Sequence, residues 1–256
     1  MVESSLIDDG YRFLCAAWAQ LPQSERDTLL GRFRVACSYN SGNMENPEIT
    51  FHDTAEVFDR GGVSNFTGDV RTIFEIENLK RSWEWLDRVV AGPQMLSEPL
   101  LLDAHRMLTA GTYDEERWRK GERPGSYKQA DYRVANDVGL PPEEVAGAMR
   151  ALLAEAREAM EAPKARVNAL TIAAYLHAVL VDVHPFADGN GRTARLLMNY
   201  VLLALGQPPC SIATEDRMAY FGALDAFHEA AELGPFLQFL KVQSLKSWPE
   251  LAGALG

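Results

Sequence analysis

His184-Pro185-Phe186-Ala187-Asp188-Gly189-Asn190-Gly191-Arg192-Thr193-Ala194-Arg195 is a polar island between two strongly apolar stretches. On one side, Ala169 to about Val181 is apolar nearly all round; on the other, Arg192 to about Leu205 repeats Leu196, Leu197, Tyr200, Val201 and Ala204 at helical spacing. Stretches of that kind are core helices, which makes the island a loop between two buried helices of a mainly α protein. Gly189 and Gly191 let the backbone turn tightly and bring N–H groups near a ligand, and the helix starting around Gly191 points its positive dipole end at the same place. Arg192 and Arg195 add two guanidinium groups where dipole logic alone would prefer acids. The loop reads as a cradle for a polyphosphate. Asp188 offers the hard carboxylate oxygen that Mg2+ takes beside phosphates, and Asn190 a further hydrogen bond. His184, with an ordinary pKa of about 6.5, can accept a proton at the loop entrance. No Ser or Cys lies in the loop, and Thr193 belongs to the helix start, so the nucleophile must come from outside. In-line attack by an external hydroxyl on a nucleotide phosphate is the simplest reaction these parts can run.

Outward from the loop, helical periodicity continues. Val145, Met149, Leu152, Leu153 and Ala156 line one helix face, opened by Pro141 and Pro142 with Glu143 and Glu144 in its first turn. Ser126 to Val134, with Tyr127, Tyr132 and Val134 among polar residues after Pro124 and Gly125, predicts a lone β-hairpin on the helical body. Gly61, Gly62, Ser64, Asn65 and Gly68 predict a loop over 60–68. With 256 residues, 47% of them hydrophobic, the chain can bury a substantial core without staples. Cys15, Cys37 and Cys210 have neither disulfide arithmetic nor zinc spacing, which fits a reducing compartment. The first twenty residues carry Glu3, Asp8, Asp9 and Arg12, unlike a signal peptide, and no stretch has the length of a membrane span. The expectation is a cytoplasmic protein without a membrane partner. A net charge of −11 opposes binding to a phosphate backbone and argues against nucleic acid. His52, His105 and His177 lack metal-ligand spacing and read as structural histidines.

The loop resembles the signature of the Fic family, H-P-F-x-D/E-G-N-G-R-x-x-R, and matches it at every specified position. The resemblance implies a helical bundle around a catalytic loop and helix, with a short β-hairpin flap. It also implies a protein adenylyltransferase that moves AMP from ATP to a Ser, Thr or Tyr hydroxyl and releases pyrophosphate. By the same resemblance His184 is the general base, Asp188 holds Mg2+, and Gly189, Asn190, Gly191, Arg192 and Arg195 bind the triphosphate. Phe186 looks like the family's buried anchor. The kinase relative Doc has lysine in place of the second glycine, so Gly191 favours AMP transfer. The segment 126–134 looks like the flap along which a target protein docks, with Val134 facing the nucleotide. Asp216 to Phe221 is similar to the segment that walls adenine, through Tyr220 and Phe221; Phe221 replaces a tyrosine of the metazoan branch, and His228 an asparagine.

Ser41-Gly42-Asn43-Met44-Glu45-Asn46 matches the inhibitory pattern S/T-x-x-x-E-G/N of the autoinhibited class. That likeness implies that Glu45, with Ser41, holds Arg195 away from the γ-phosphate. The implied organisation is an N-terminal helical region over 1–100 with the inhibitory motif near 41–46, a catalytic core over 101–245 and a C-terminal tail over 246–256. The resemblance leaves three alternatives open: removal of AMP at the same site, a regulatory module that binds nucleotide without turnover, and transfer from another donor. A homodimer is common among similar proteins; Trp83, Trp85 and Leu86 read equally as interface or core.

Overall fold

A computed structural model describes residues 2–64, 66–132 and 139–252. In chain order the helices are α1 (Val2–Gln20), α2 (Gln23–Asn43), α3 (Phe51–Arg60), α4 (Val70–Ala91), α5 (Glu98–Leu108) and α6 (Glu115–Arg119). They continue with α7 (Pro142–Glu161), α8 (Ala169–Val183), α9 (Asn190–Ala204), α10 (Arg217–Ala230), α11 (Leu233–Ser247) and α12 (Pro249–Ala252). The two apolar stretches form α8 and α9, which pack on each other at the centre. Ten of the fifteen residues of α8 are buried, and so is every residue of α9 from Arg192 to Leu202. Around this pair, α7 and α11 cover α8, while α5, α4 and α2 cover α9.

The helix starts follow local chemistry. Thr50, Asp69, Ser97 and Asp114 each accept a backbone N–H two or three residues ahead, capping α3, α4, α5 and α6. α7 begins at Pro142 with both glutamates in its first turn, and its buried face is the expected one: Val145, Met149, Leu152, Leu153 and Ala156.

One continuous hydrophobic core runs from Leu14 to Trp248, across all three regions expected from the sequence. The segment read as a tail includes Trp248, which is 1% exposed. Its ring stacks on Phe33 at 4.9 Å and lies 4.9 Å from Trp18, and its indole N–H donates to the Pro209 carbonyl. Trp83 closes on the other side of Phe33 at 5.7 Å. Trp83 and Leu86 are therefore core residues. This aromatic cluster fixes α2, the helix that carries Ser41.

The expected hairpin is corrected only over its described part: residues 126–132 contain no strand, and Val134, with 133–138, falls outside the described residues. Over Ser126–Tyr132 the polar groups are spent on other partners. Lys128 N–H donates to the Pro185 carbonyl at 2.9 Å, and the Gln129 N–H and the Tyr132 hydroxyl both donate to Glu122. Tyr127 turns its ring toward Phe186. The alternation of aromatic and polar residues here reflects anchoring to the loop at His184.

Candidate active site

The loop between α8 and α9 is built by two left-handed residues. His184 ends α8 at φ 50°, ψ 62°, a conformation that is costly for a residue with a Cβ and needs its surroundings to hold it. Gly139, at φ 63°, packs so closely that a Cβ there would lie 2.6 Å from that of His184, and the Leu140 N–H donates to the Val183 carbonyl. Gly189, at φ 80°, precedes α9, and a Cβ on it would meet Thr109 at 2.6 Å.

Asn190 staples the loop from inside. Its Oδ1 accepts the Phe186 N–H at 2.9 Å, so its Nδ2 must donate, to the Phe186 carbonyl at 2.9 Å and to His184 Nε2 at 2.8 Å. Nε2 of His184 is therefore the unprotonated nitrogen, as a base requires. Burial, and next the Lys128 ammonium, push the His184 pKa down to about 4. The imidazole is neutral throughout the physiological range.

Phe186 is fully buried and stacks on His105 at 3.7 Å with the rings 3° apart. The Gly125 N–H donates to His105 Nδ1 at 2.9 Å, which leaves the proton on Nε2 to donate to the Asp188 carbonyl at 2.9 Å. His105 thus ties Gly125 to the loop, a positioning role that its sequence context did not announce. Its place on the stripe Leu100, Leu101, Ala104, His105, Leu108 does put it on the core face of α5, where a polar ring needs partners.

Asp188 is enclosed by guanidinium groups: Arg192 at 3.2 Å, Arg71 of α4 at 2.9 Å and Arg117 of α6 at 3.8 Å, with the Gly189 N–H at 2.6 Å. Burial opposes its ionisation, but the arginines, Arg192 foremost, outweigh burial and hold the carboxyl below its ordinary range. Arg192 is 2% exposed and also reaches Glu75 of α4 at 3.4 Å. The Nε atoms of Arg192 and Arg117 are buried without a partner among the described residues, two unspent donors beside the loop. Among the described residues no group of three or more His, Cys, Asp or Glu could hold a metal by itself. Asp188 alone fits Mg2+ in the way that ion is usually held, by one carboxylate with substrate oxygens and waters.

Arg195 faces the other way. Its Nε donates to the Ser41 hydroxyl at 3.0 Å, and Nη2 donates to the Ser41 carbonyl at 3.0 Å and to Glu45 Oε1 at 2.7 Å. Burial works against ionisation of Glu45, yet Arg195 and then Arg192 keep its carboxyl below the usual range. The Glu45 carboxylate lies against Gly191, where a Cβ would collide with Oε1. Tyr220, expected beside adenine, is 1% exposed: it hydrogen-bonds Arg195 from the core side and His177 Nε2 at 2.8 Å. That burial leaves its ring no open face, so it supports Arg195 and does not line the cleft. Phe221 is 40% exposed, with the Arg217 guanidinium over its ring at 5.5 Å.

Three histidines, buried His105 and His177 and part-buried His184, have lowered pKa values: His105 and His184 at about 4 and His177 at about 3, desolvation being the leading cause in each. Because the unfolded chain takes up these protons near pH 6.5 and the folded one does not, their contribution is complete above that pH and is lost as pH falls toward 4. At pH 5.5 each costs on the order of 1 kcal/mol, and the three together on the order of a few kcal/mol. The thermal midpoint followed by circular dichroism should therefore drop by roughly 10 °C between pH 7.5 and 5.5. His177→Gln should remove about a third of that dependence. A midpoint that stays level across this interval would show that the histidines are protonated in the fold.

Comparison with known proteins agrees with this architecture. Residues 95–202 match the sequence model of the Fic/DOC family. Protein adenylyltransferase Fic of Nematostella vectensis is 36% identical over 120 residues, covering 45% of this chain and 26% of that protein. The chain thus spans about a quarter of that relative's length. Among solved structures, a Fic domain containing signaling protein from Bacteroides thetaiotaomicron superposes with a TM-score of 0.82 at 24% identity, covering 96% of each chain. Fic-1 of C. elegans superposes with a TM-score of 0.77 at 22% identity, covering 99% of this chain and 74% of the other. No helix among the described residues is long and apolar enough to cross a membrane. With the loop signature intact inside the matched segment and the same fold around it, the chain carries a Fic/DOC family domain over residues 95–202.

Proposed function

We propose that this protein is an adenylyltransferase that transfers AMP from ATP to a hydroxyl of a target protein, and that Glu45 restrains it. One observation carries the reading: a neutral imidazole, a carboxylate and two buried arginines converge at the start of α9, and Glu45 occupies Arg195.

In this reading Arg192, Arg195 and the backbone of Gly189 to Gly191 bind and orient the triphosphate at the helix N-terminus, where dipole and N–H groups favour anions. Asp188 would hold Mg2+, which supplies charge neutralisation on the phosphates when bound. His184 Nε2 takes the proton from the attacking hydroxyl once that hydroxyl displaces the Asn190 amide, which holds the same lone pair in the absence of substrate. The α-phosphorus forms the new bond and pyrophosphate leaves. A base-stacking role for Phe221, which is exposed, a contact through Val134 and docking of the target along 126–134 follow from the family likeness. The adenylyltransferase names of the curated relatives support the activity. They match this chain over part of their length, which makes the activity of the whole protein an inference.

The test uses the Glu45→Gly protein incubated separately with α-labelled and γ-labelled ATP and a cell extract. Label on protein from α-labelled ATP alone is expected. Label from γ-labelled ATP would identify a kinase, and no label from either would remove the transferase reading.

A further inference from the structure

Arg71 lies outside residues 95–202, the segment that matches the family, yet it reaches the centre of the site. It is the second residue of α4, and its backbone N–H donates to the Asp69 cap at 2.9 Å, which fixes where the side chain starts. The guanidinium bridges two carboxylates, Glu75 at 3.1 Å and Asp188 at 2.9 Å. Its side chain is 37% exposed, opening on a cavity of about 330 Å3 bounded by Glu45, Asp188 and Arg192. Since Glu45 marks where it competes for Arg195, this cavity lies at the end of the site that takes the terminal phosphates.

The charge on the cavity's walls is uneven. From the α4 side and the segment after α2 it is lined by Glu48, Asp69 and Glu75, and Arg71 is the one cation among the described residues of that wall. A phosphate chain entering from Arg192 and Arg195 would meet carboxylates there unless Arg71 received it. Meanwhile Asp188 has three guanidinium groups around it, those of Arg71, Arg117 and Arg192. Releasing Arg71 from Asp188 leaves that acid still paired.

Resting on the nucleotide reading above, we propose that Arg71 is a ligand for the terminal phosphates, passing from Asp188 to the nucleotide when a nucleoside triphosphate binds, and that it sets a preference for triphosphate over monophosphate. Glu75 remains on Arg192 and Asn46 and holds the α4 wall in register during the exchange. Arginine suits the task because its planar fork can leave a carboxylate and meet a phosphate with the same pair of N–H groups.

The experiment is calorimetric titration of Glu45→Gly and of Glu45→Gly/Arg71→Gln with ATP and with AMP, in magnesium, after thermal melts establish that both proteins are folded. Loss of one charge-assisted contact should weaken ATP about 10- to 100-fold and AMP less than about 2-fold. Arg71→Lys, which keeps the charge without the fork, should recover part of the ATP affinity. Equal weakening of ATP and AMP, or unchanged ATP binding in the Arg71→Gln protein, overturns this proposal alone. Failure of the Glu45→Gly parent to bind ATP overturns the nucleotide reading and this proposal with it.

Discussion

Glycine in place of Glu45 is expected to raise AMP transfer by about 10- to 100-fold, the span that corresponds to one charge-assisted contact of about 1.5–3 kcal/mol. The Arg195 side chain is 5% exposed, and among the described residues Glu45 is the one carboxylate paired with it. Without Glu45, Arg195 keeps the Ser41 contacts and the Tyr220 hydroxyl, none of which neutralises it. A phosphate then binds where the carboxylate was, and the space against Gly191 opens as well. The same substitution should lower the thermal midpoint, because it strips a buried charge of its partner; Glu45 is itself 40% exposed, so the cost stays below the 3–5 kcal/mol typical of fully buried pairs. Added ATP should restore more stability to the variant than to the parent. Transfer rates that are equal in the two proteins, measured with α-labelled ATP, would mean that the Glu45–Arg195 pair is structural only.

Removing His184 should have the opposite and larger effect. In the Glu45→Gly background, His184→Ala should cut transfer about 10²- to 10⁴-fold, the usual share of a general base, while ATP affinity changes little. The pH profile separates this role from a structural one. A base with a pKa near 4 is unprotonated over the whole neutral range, so the kcat/KM of Glu45→Gly should be level from pH 8 to 6 and fall only as pH approaches 4. Glu45 raises the His184 pKa in the parent, so its removal moves that limb further toward acid. A profile that halves near pH 6.5 would place the imidazole in water, outside the burial described here. Loss of ATP binding in His184→Ala would make it a residue of the nucleotide pocket's shape.

The central helices and the loop between them were legible in the sequence because their signals are local: apolar residues at helical spacing, two glycines, a run of polar groups with fixed order. α7 was legible for the same reason. Arg71 and Glu75 were not, since an Arg and a Glu four apart on α4 look like any surface pair, and nothing nearby indicates a meeting with Asp188, 117 positions away. Tyr220 was placed on the wrong side of Arg195 because an aromatic residue at helical spacing carries no sign of which face will be closed by Phe236 and His177. Over the described part of the expected hairpin the alternation was created by anchoring: Tyr127 packs on Phe186 and donates to Glu98, and Tyr132 reaches Glu122. Glu45 was found by its short motif, and the 2.7 Å bond to Arg195 agrees with the geometry that motif implies.

The aromatic cluster of Trp18, Phe33, Trp83 and Trp248 gives α1 and the residue that follows α11 a common mechanical address. Phe33 and Ser41 ride on one continuous helix, eight residues or about 12 Å apart along its axis, and Glu45 follows directly. Whatever loosens the seam between α1 and Trp248 slackens the rod that carries Ser41 and leads to Glu45, and with it the proposed restraint. Mild trimming or warming at that far edge should therefore speed turnover before it abolishes it.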